Sequence, residues 1–186
     1  KEIYYINIEC EKKRNINFLK NYNKYSLNIP IYRISGIITK TGNRILTRGE
    51  LGCALSHIKV LDIISKKSFG WYLICEDDCC GNFQLIEIKV KLIMKFHPFI
   101  SYINLYSPYK LNIPTPSSGT RTTAYLITPF GAKLSKIIIK NNLKKYPCDI
   151  ALCYSLIHAI IAVGFKQILY SDGSLSSIEK INNCNL

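Results

Sequence analysis

The segment FGWYLICEDDCCGNF, residues 69–83, places a short apolar run directly before three consecutive carboxylates. Trp71 to Cys75 is continuously apolar or aromatic, a pattern typical of a strand that is buried on both faces of a sheet. Glu76, Asp77 and Asp78 follow it, in a chain that has 12 acidic residues against 25 Lys and Arg. The segment therefore predicts a central strand that ends in an acidic cluster.

Strands and helices alternate on both sides of this segment. Runs of β-branched and aromatic residues predict strands at Ile3–Ile8, Ile31–Ser35, Trp71–Cys75, Tyr102–Tyr106, Thr123–Ile127 and Lys166–Tyr170. Helices are predicted near Ile16–Tyr25, from Thr47 to about Lys67, from Thr128 to about Asn141 and at Asp149–Val163. Gln84–Phe96 alternates in part like a strand, but its length favours a helix. This alternation predicts the α/β class, with a mainly parallel central sheet flanked by helices. At 186 residues, the length predicts a single domain over residues 1–186.

Two of these helices have clear start signals. Thr47 and Glu50 match a capping box, in which the Thr side chain caps one backbone N–H and the Glu side chain caps another. Thr128 is followed by Pro129, a residue favoured at the first helical position.

Composition predicts a folded protein. The hydrophobic content is 48% and the mean hydropathy is +0.08, values that do not fit a disordered chain. The longest apolar run, Ala159–Phe165, is shorter than the ~20 residues that span a bilayer. Lys1–Ile8 lacks the apolar stretch and cleavage site of a signal peptide.

The net charge of +13 has two interpretations. It favours an anionic partner, including peripheral contact with an anionic membrane, or it reflects a composition rich in Ile, Lys and Asn. The sequence contains no block of five Lys or Arg and no zinc-finger or RNP pattern. We therefore expect no specific binding of nucleic acid.

Cysteine spacing indicates free thiols. The eight cysteines are Cys10, Cys53, Cys75, Cys79, Cys80, Cys148, Cys153 and Cys184. No pair has the C-x-x-C spacing, so the spacing does not predict a structural zinc site. Several lie in apolar segments, where a thiol behaves as a small hydrophobe. A reducing compartment is therefore favoured and we expect a cytoplasmic protein, although the even number of cysteines leaves disulfides open.

The acidic cluster lies where open α/β sheets bind ligands, beyond the carboxyl end of a strand. Two like charges ~4 Å apart repel by roughly 4 kcal/mol at an effective dielectric near 20. A divalent cation, Lys or Arg partners, or helix N-termini must offset that repulsion. In an extended segment, Glu76 and Asp78 point the same way and can share Mn²⁺ or Mg²⁺. A solvated turn or a salt-bridged cluster is the alternative.

Two motifs together resemble glycosyltransferase family 25, the group of lipooligosaccharide and collagen hydroxylysine galactosyltransferases. They are LTRGELGCALSH at residues 46–57 and YLICEDD at residues 72–78. Weaker similarities follow the family's order along nearly the whole chain: YYINIECEKKR (4–14), YINLY (102–106), TTAYLITPFGAKL (122–134), YPCDIAL (146–152) and SSIEK (176–180).

The resemblance implies a GT-A-like fold and a Mn²⁺-dependent, inverting hexosyltransferase, with Mg²⁺ as the other candidate ion. The implied donor is a UDP-sugar, UDP-galactose or a close relative. The implied acceptor is a glycan, a lipid-linked glycan or a protein hydroxyl of the hydroxylysine type. A catalytically reduced binding or scaffold protein on the same fold, and a basic nucleic-acid-binding protein, are the competing functions.

The resemblance also assigns roles to residues of this chain. Glu76 and Asp78 would bind the metal, with His158 or Asp172 as a third ligand, and Asp149 would be the general base. The residues placed at the donor are Asn7, Arg14, Glu50, Ser56, His57 and Asp77.

Several of these residues also have a purely structural interpretation. Asn7 would be a strand-end turn residue, Arg14 a surface charge, Glu50 a helix cap and His57 a core residue. Asp149 would be a carboxylate favoured at a helix N-terminus.

One feature departs from the family's pattern. Cys79 and Cys80 follow the acidic cluster, where the family tends to have one apolar residue. The loop Ser107–Thr122 is rich in Pro and Ser, and we expect it to order when substrate binds.

Overall fold

The computed structural model describes residues 2–25, 27–86, 88, 91, 95, 100–105, 121–152, 162–164 and 169–171. The strands are β1 Glu2–Asn7, β2 Ile31–Ser35, β3 Tyr72–Glu76, β4 Cys79–Gly81, β5 Tyr102–Asn104, β6 Ala124–Ile127, β7 Ala162–Gly164 and β8 Leu169–Ser171. The helices are α1 Lys12–Asn23, α2 Arg48–Ser65 and α3 Pro129–Asn142. Residues 148–152 are also helical, as are the described positions 84–86, 88, 91 and 95.

Six strands form the main sheet in the order β2-β1-β3-β6-β5-β7. Strand β1 pairs in parallel with β2 and β3, with Ile3 opposite both Ile31 and Leu73. Strand β6 runs antiparallel between β3 and β5, and β5 pairs in parallel with β7. The predicted α/β class with a mainly parallel sheet is confirmed, with β6 as the antiparallel exception.

Alternate residues of β3 enter two hydrophobic cores, one on each face of the sheet. Tyr72 and Ile74 pack into the core that includes α2 and α3, while Leu73 and Cys75 pack into the core that includes α1. All four side chains are buried. The prediction of a strand buried on both faces is confirmed.

Both predicted helix starts are confirmed. Thr47 accepts a hydrogen bond from the Glu50 backbone, and the Glu50 carboxylate accepts one from the Thr47 backbone, which completes the capping box of α2. Thr128 caps α3 by accepting from Gly131, with Pro129 at the first helical position.

Two sequence predictions differ from the structure. The helix predicted at Asp149–Val163 is wrong at its end, because Ala162–Gly164 is strand β7. Strand β4, Cys79–Gly81, was not predicted and pairs antiparallel with β8 in a separate two-stranded sheet. Its three residues are too few to show an alternating pattern. Most of the predicted loop Ser107–Thr122 lies outside the described residues.

Among the helices that are described, none combines the length and the apolar character needed to cross a membrane.

Candidate active site

The candidate site lies at the carboxyl edge of the parallel strands. Asn7 is the last residue of β1, Ser35 of β2 and Glu76 of β3, and the register places Asn7 opposite Ser35. The acidic cluster therefore begins at the edge where open α/β sheets bind their ligands.

Asp77 and Asp78 do not continue the strand. They form a turn between β3 and β4, so the extended geometry behind the pairing of Glu76 with Asp78 does not hold. Glu76 contacts His57 on α2, whereas Asp77 and Asp78 both contact Arg14 on α1. The three carboxylates are thus divided between the two helices that lie over opposite faces of the sheet.

Asp77 is held by two side chains. Its Oδ1 lies 2.9 Å from Arg14 Nη2, and its Oδ2 accepts a 2.7 Å hydrogen bond from Asn7 Nδ2. Asn7 in turn accepts from Arg33 Nε at 2.9 Å and donates to the Glu11 carbonyl at 3.2 Å. These contacts occupy both polar atoms of the Asn7 side chain, so Asn7 orients Asp77.

Arg14 is buried, with only 7% of its side chain exposed, which overturns the interpretation of a surface charge. Its Nη2 also lies 3.4 Å from Asp78 Oδ2. Burial raises the pKa of Asp77 above its ordinary value, although the Arg14 charge and the Asn7 hydrogen bond act to lower it. Arg14 is therefore the internal counter-ion of this half of the cluster.

Glu76 is held on the other side by Thr122 and His57. Thr122 Oγ1 donates a 2.6 Å hydrogen bond to Glu76 Oε1, and His57 Nε2 lies 3.5 Å from the same oxygen. Burial acts to raise the pKa of Glu76, but the contacts with His57 and Thr122 outweigh it and lower that pKa. The side chain remains 29% exposed, so it is ionised and still reaches solvent.

His57 is completely buried, and its Nδ1 lies 2.9 Å from the Tyr125 hydroxyl. Burial acts to lower the pKa of His57, but contacts with Cys53 and Glu76 raise it to about 10. An imidazolium is therefore expected at neutral pH. With Arg14, it sets two positive charges against the three carboxylates.

Ser56 and Glu50 have structural partners. Ser56 Oγ donates to the Gly52 carbonyl at 2.7 Å and accepts from Ile37 N–H at 2.8 Å. A Cβ at Gly52 would lie 2.4 Å from the Ile37 carbonyl oxygen, so glycine permits this approach. The Gly-x-x-x-Ser part of the motif thus docks the loop after β2 onto α2, and Glu50 completes the helix cap. Their predicted roles in donor binding stay predictions.

Asp149 lies in the helical residues 148–152 and is half-buried. Its Oδ1 accepts a 2.8 Å hydrogen bond from Ile150 N–H. Burial and the charge of Glu76 raise the pKa of Asp149, against the lowering effect of that hydrogen bond. A carboxylate with a raised pKa near an acidic cluster suits a general base, a role that stays a prediction.

Two predicted metal ligands cannot be placed, and three residues that contact the site were not predicted. His158 and Asp172, the candidates for a third metal ligand, lie outside the described residues. Thr122, Arg33 and Tyr125 contact the site but were not predicted, because they reach it from distant segments and carry no local motif.

Comparison with solved structures supports a GT-A-like fold. A glycosyltransferase involved in glycosylation of the major capsid of PBCV-1 is similar over 97% of this chain and 96% of its own, at 11% identity and a TM-score of 0.55. The apo form of the glycosyltransferase GlyE from Streptococcus pneumoniae TIGR4 is similar over 88% of this chain and 44% of its own, at 9% identity and a TM-score of 0.56. The GT-A-like fold implied by the sequence motifs is thereby confirmed.

Comparison of sequences gives the family. No curated protein matches the sequence. The profile described as "Glycosyltransferase family 25 (LPS biosynthesis protein)" matches residues 5–112, which is more than half of the chain and includes both the Gly-Glu motif and the acidic cluster. The chain belongs to glycosyltransferase family 25.

Proposed function

We propose that this chain is a metal-dependent, inverting glycosyltransferase that moves galactose or a related hexose from a UDP-sugar to a hydroxyl acceptor. The acceptor class is a glycan, a lipid-linked glycan or a hydroxylysine-type protein hydroxyl. The observation that carries the proposal is the acidic cluster at the carboxyl ends of the parallel strands, braced by Arg14 and His57.

The charges and donor atoms of the cluster fit a hard divalent cation. Three carboxylates face the two positive charges of Arg14 and protonated His57, so the cluster retains a net negative charge. Its donor atoms are carboxylate oxygens, which suit Mn²⁺ and Mg²⁺. When bound, such a cation would hold the donor diphosphate and offset charge on the leaving group.

The residues that would hold the cation are Glu76, at the end of β3, and Asp78, in the turn that follows. Their exposure supports this assignment, in place of the extended backbone that the sequence predicted. Both side chains keep some exposure, 29% and 12% respectively. Asp77 instead has each of its oxygens engaged, one by Arg14 and one by Asn7. Asp77 therefore fixes the shape of the turn that presents Asp78.

Asp149 would accept the proton of the attacking hydroxyl. Inversion requires the acceptor to approach the anomeric carbon from the side opposite the leaving group, with a base within reach of its proton. The charges of Glu76 and His57 both act on the pKa of Asp149, which supports this assignment.

The test is thermal stability with a panel of nucleotide-sugars, with and without Mn²⁺. A ligand at 100 times its dissociation constant stabilises the native state by about 2.7 kcal/mol. We expect a Mn²⁺-dependent shift with one UDP-sugar, and its loss in Asp78→Ala. Asp62→Ala is the control, since Asp62 pairs with Lys66 and Lys136 away from the cluster.

The thermal-stability test separates an enzyme from a binding protein. The absence of a melting-temperature shift with every donor, in a folded protein, would overturn the proposal. A Mn²⁺-dependent shift without release of UDP, whatever the acceptor, would assign the chain as a binding protein on this fold.

A further inference from the structure

Cys53, His57 and Cys148 converge in the protein interior, next to the acidic cluster. Their ligand atoms, two thiol sulfurs and one imidazole nitrogen, all lie within 4.8 Å of one another. His57 and Cys148 are buried and Cys53 is half-buried. We propose that these three residues form a binding site for Zn²⁺ or a similar thiolate-seeking cation, separate from the oxygen-lined site of the proposed transferase.

The sulfur separation fits this coordination. Cys53 Sγ and Cys148 Sγ are 3.7 Å apart. Zinc–sulfur bonds of ~2.3 Å in tetrahedral geometry place two thiolates about 3.8 Å apart. The two sulfurs thus already have the spacing of one edge of a zinc tetrahedron. The imidazole must approach by little more than ~1 Å to complete a third corner.

The histidine is also oriented as a ligand. Its Nδ1 lies 2.9 Å from the Tyr125 hydroxyl. The buried Nε2 forms no hydrogen bond with any described residue and lies 3.5 Å from Glu76 Oε1. A cation bound at Nε2 would take the place of its proton, so the ion pair with Glu76 belongs to the metal-free form. Metal-bound histidines typically use one ring nitrogen for the metal and give the other to a neighbouring acceptor, which fixes the ring. Tyr125 is in position to be that acceptor.

The ligands come from elements that the fold already holds together. Cys53 and His57 are one turn apart on α2, so they lie on the same face of that helix. Cys148 belongs to the helical residues 148–152, and Cys148, Ala151 and Leu152 pack into the same core as α2. A bound cation would join α2 to the helix that carries Asp149. A water molecule would fill the fourth position, since Glu76 belongs to the carboxylate site.

Charge and ligand type separate this site from the carboxylate cluster. Two thiolates balance the charge of Zn²⁺, which suits a buried position. Thiolate ligands select Zn²⁺ and Cu⁺ over Mn²⁺ and Mg²⁺. The zinc proposal does not depend on the transferase activity, because its ligands are Cys53, His57 and Cys148 rather than the carboxylates.

The test uses Co²⁺ as a spectroscopic probe. Reduced, metal-free protein is titrated with Co²⁺ in excess Mg²⁺, which occupies oxygen sites. We expect one equivalent of Co²⁺ to give the thiolate charge-transfer and tetrahedral ligand-field bands, and Zn²⁺ to abolish them.

Cys53→Ser and Cys148→Ser should lose the bands. Cys79→Ser, a buried thiol in the other core, should keep them. Tyr125→Phe should weaken binding by roughly 10- to 100-fold.

A second measurement on the unmodified chain covers variants that fail to fold. Zn²⁺ should protect Cys53 and Cys148 from alkylation, as read by peptide mass spectrometry, while exposed Cys10 reacts equally with or without it. Equal alkylation of Cys53 and Cys148 with and without Zn²⁺ would overturn the proposal. So would thiolate bands that persist in both folded serine variants. A Cys53–Cys148 disulfide in a protein that takes up no metal when reduced would assign the pair to redox chemistry instead.

Discussion

Arg14 forms an ion pair with Asp77 in the protein interior, where Arg14 Nη2 and Asp77 Oδ1 are 2.9 Å apart and neither side chain exposes more than 7% of its surface. Arg14 lies on α1 and Asp77 in the turn after β3. The pair therefore fixes the acidic cluster relative to a helix that is remote from it in sequence.

Replacing Arg14 by alanine is expected to lower the free energy of unfolding by about 3–5 kcal/mol, because a buried ion pair loses one partner. Urea denaturation at neutral pH measures the change. Lys13→Ala is the matched control, since Lys13 is exposed on the same helix and should change stability by no more than about 0.5 kcal/mol. If Arg14→Ala were as mild as the control, Arg14 would not be the counter-ion of the cluster.

In the metal-free protein, His57 is expected to remain protonated through neutral pH. Its contacts with Cys53 and Glu76 overcome burial and raise its pKa to about 10. NMR of the labelled imidazole ring should show an imidazolium at pH 8, with the signal assigned by its loss in His57→Gln. A neutral ring at pH 7 would contradict the charged pair with Glu76.

The same pair predicts a pH dependence of stability. The folded-state pKa of His57 lies above the unfolded value of about 6.5, so its contribution is complete below pH 6.5 and is lost as the pH rises toward 10. The difference in unfolding free energy between the wild type and His57→Gln should therefore shrink over that range. A difference that stays constant from pH 6 to pH 10 would refute the assignment.

Ser56→Ala is expected to cost about 1–3 kcal/mol of stability, because it leaves the Ile37 N–H without its acceptor. Thermal or urea unfolding measures the loss. Ser65→Ala is the matched control in the last turn of α2, where the hydroxyl only donates to the Asp62 carbonyl. Donor affinity should change little. If donor affinity falls while stability stays the same, Ser56 contacts the donor directly.

The sequence predicted the parts of the fold that are encoded locally. Thr47 with Glu50, and Thr128 with Pro129, marked two helix starts that the structure confirms. The apolar run before Glu76 marked the central strand. Each signal depends on side chains within a few residues of one another, so one sequence suffices to find it.

The partners within the site were not predictable in the same way. Thr122 and Glu76 are 46 positions apart, and Cys53 and Cys148 are 95 apart. Such pairs meet only because the sheet order brings β3 beside β6 and packs α2 against the helix at residues 148–152. Cysteine spacing gave no sign of the Cys53–His57–Cys148 cluster for the same reason.

Asp149→Asn tests the general base of the proposed reaction. Removing a positioned base lowers kcat by about 10²–10⁴-fold, whereas donor affinity should persist because Asp149 is not assigned to the donor. Asp62→Asn, an acidic residue that pairs with lysines outside the cluster, should leave kcat unchanged.

The pH profile provides an independent readout of the same residue. Burial and the Glu76 charge raise the pKa of Asp149 above the ordinary aspartate value of about 3.9. As the pH is lowered, kcat/KM should therefore begin to fall at a pH above that ordinary value. A base works only when deprotonated, and this acidic limb should therefore disappear in Asp149→Asn. If Asp149→Asn keeps both the decrease of kcat/KM at low pH and the wild-type kcat, the base is another residue.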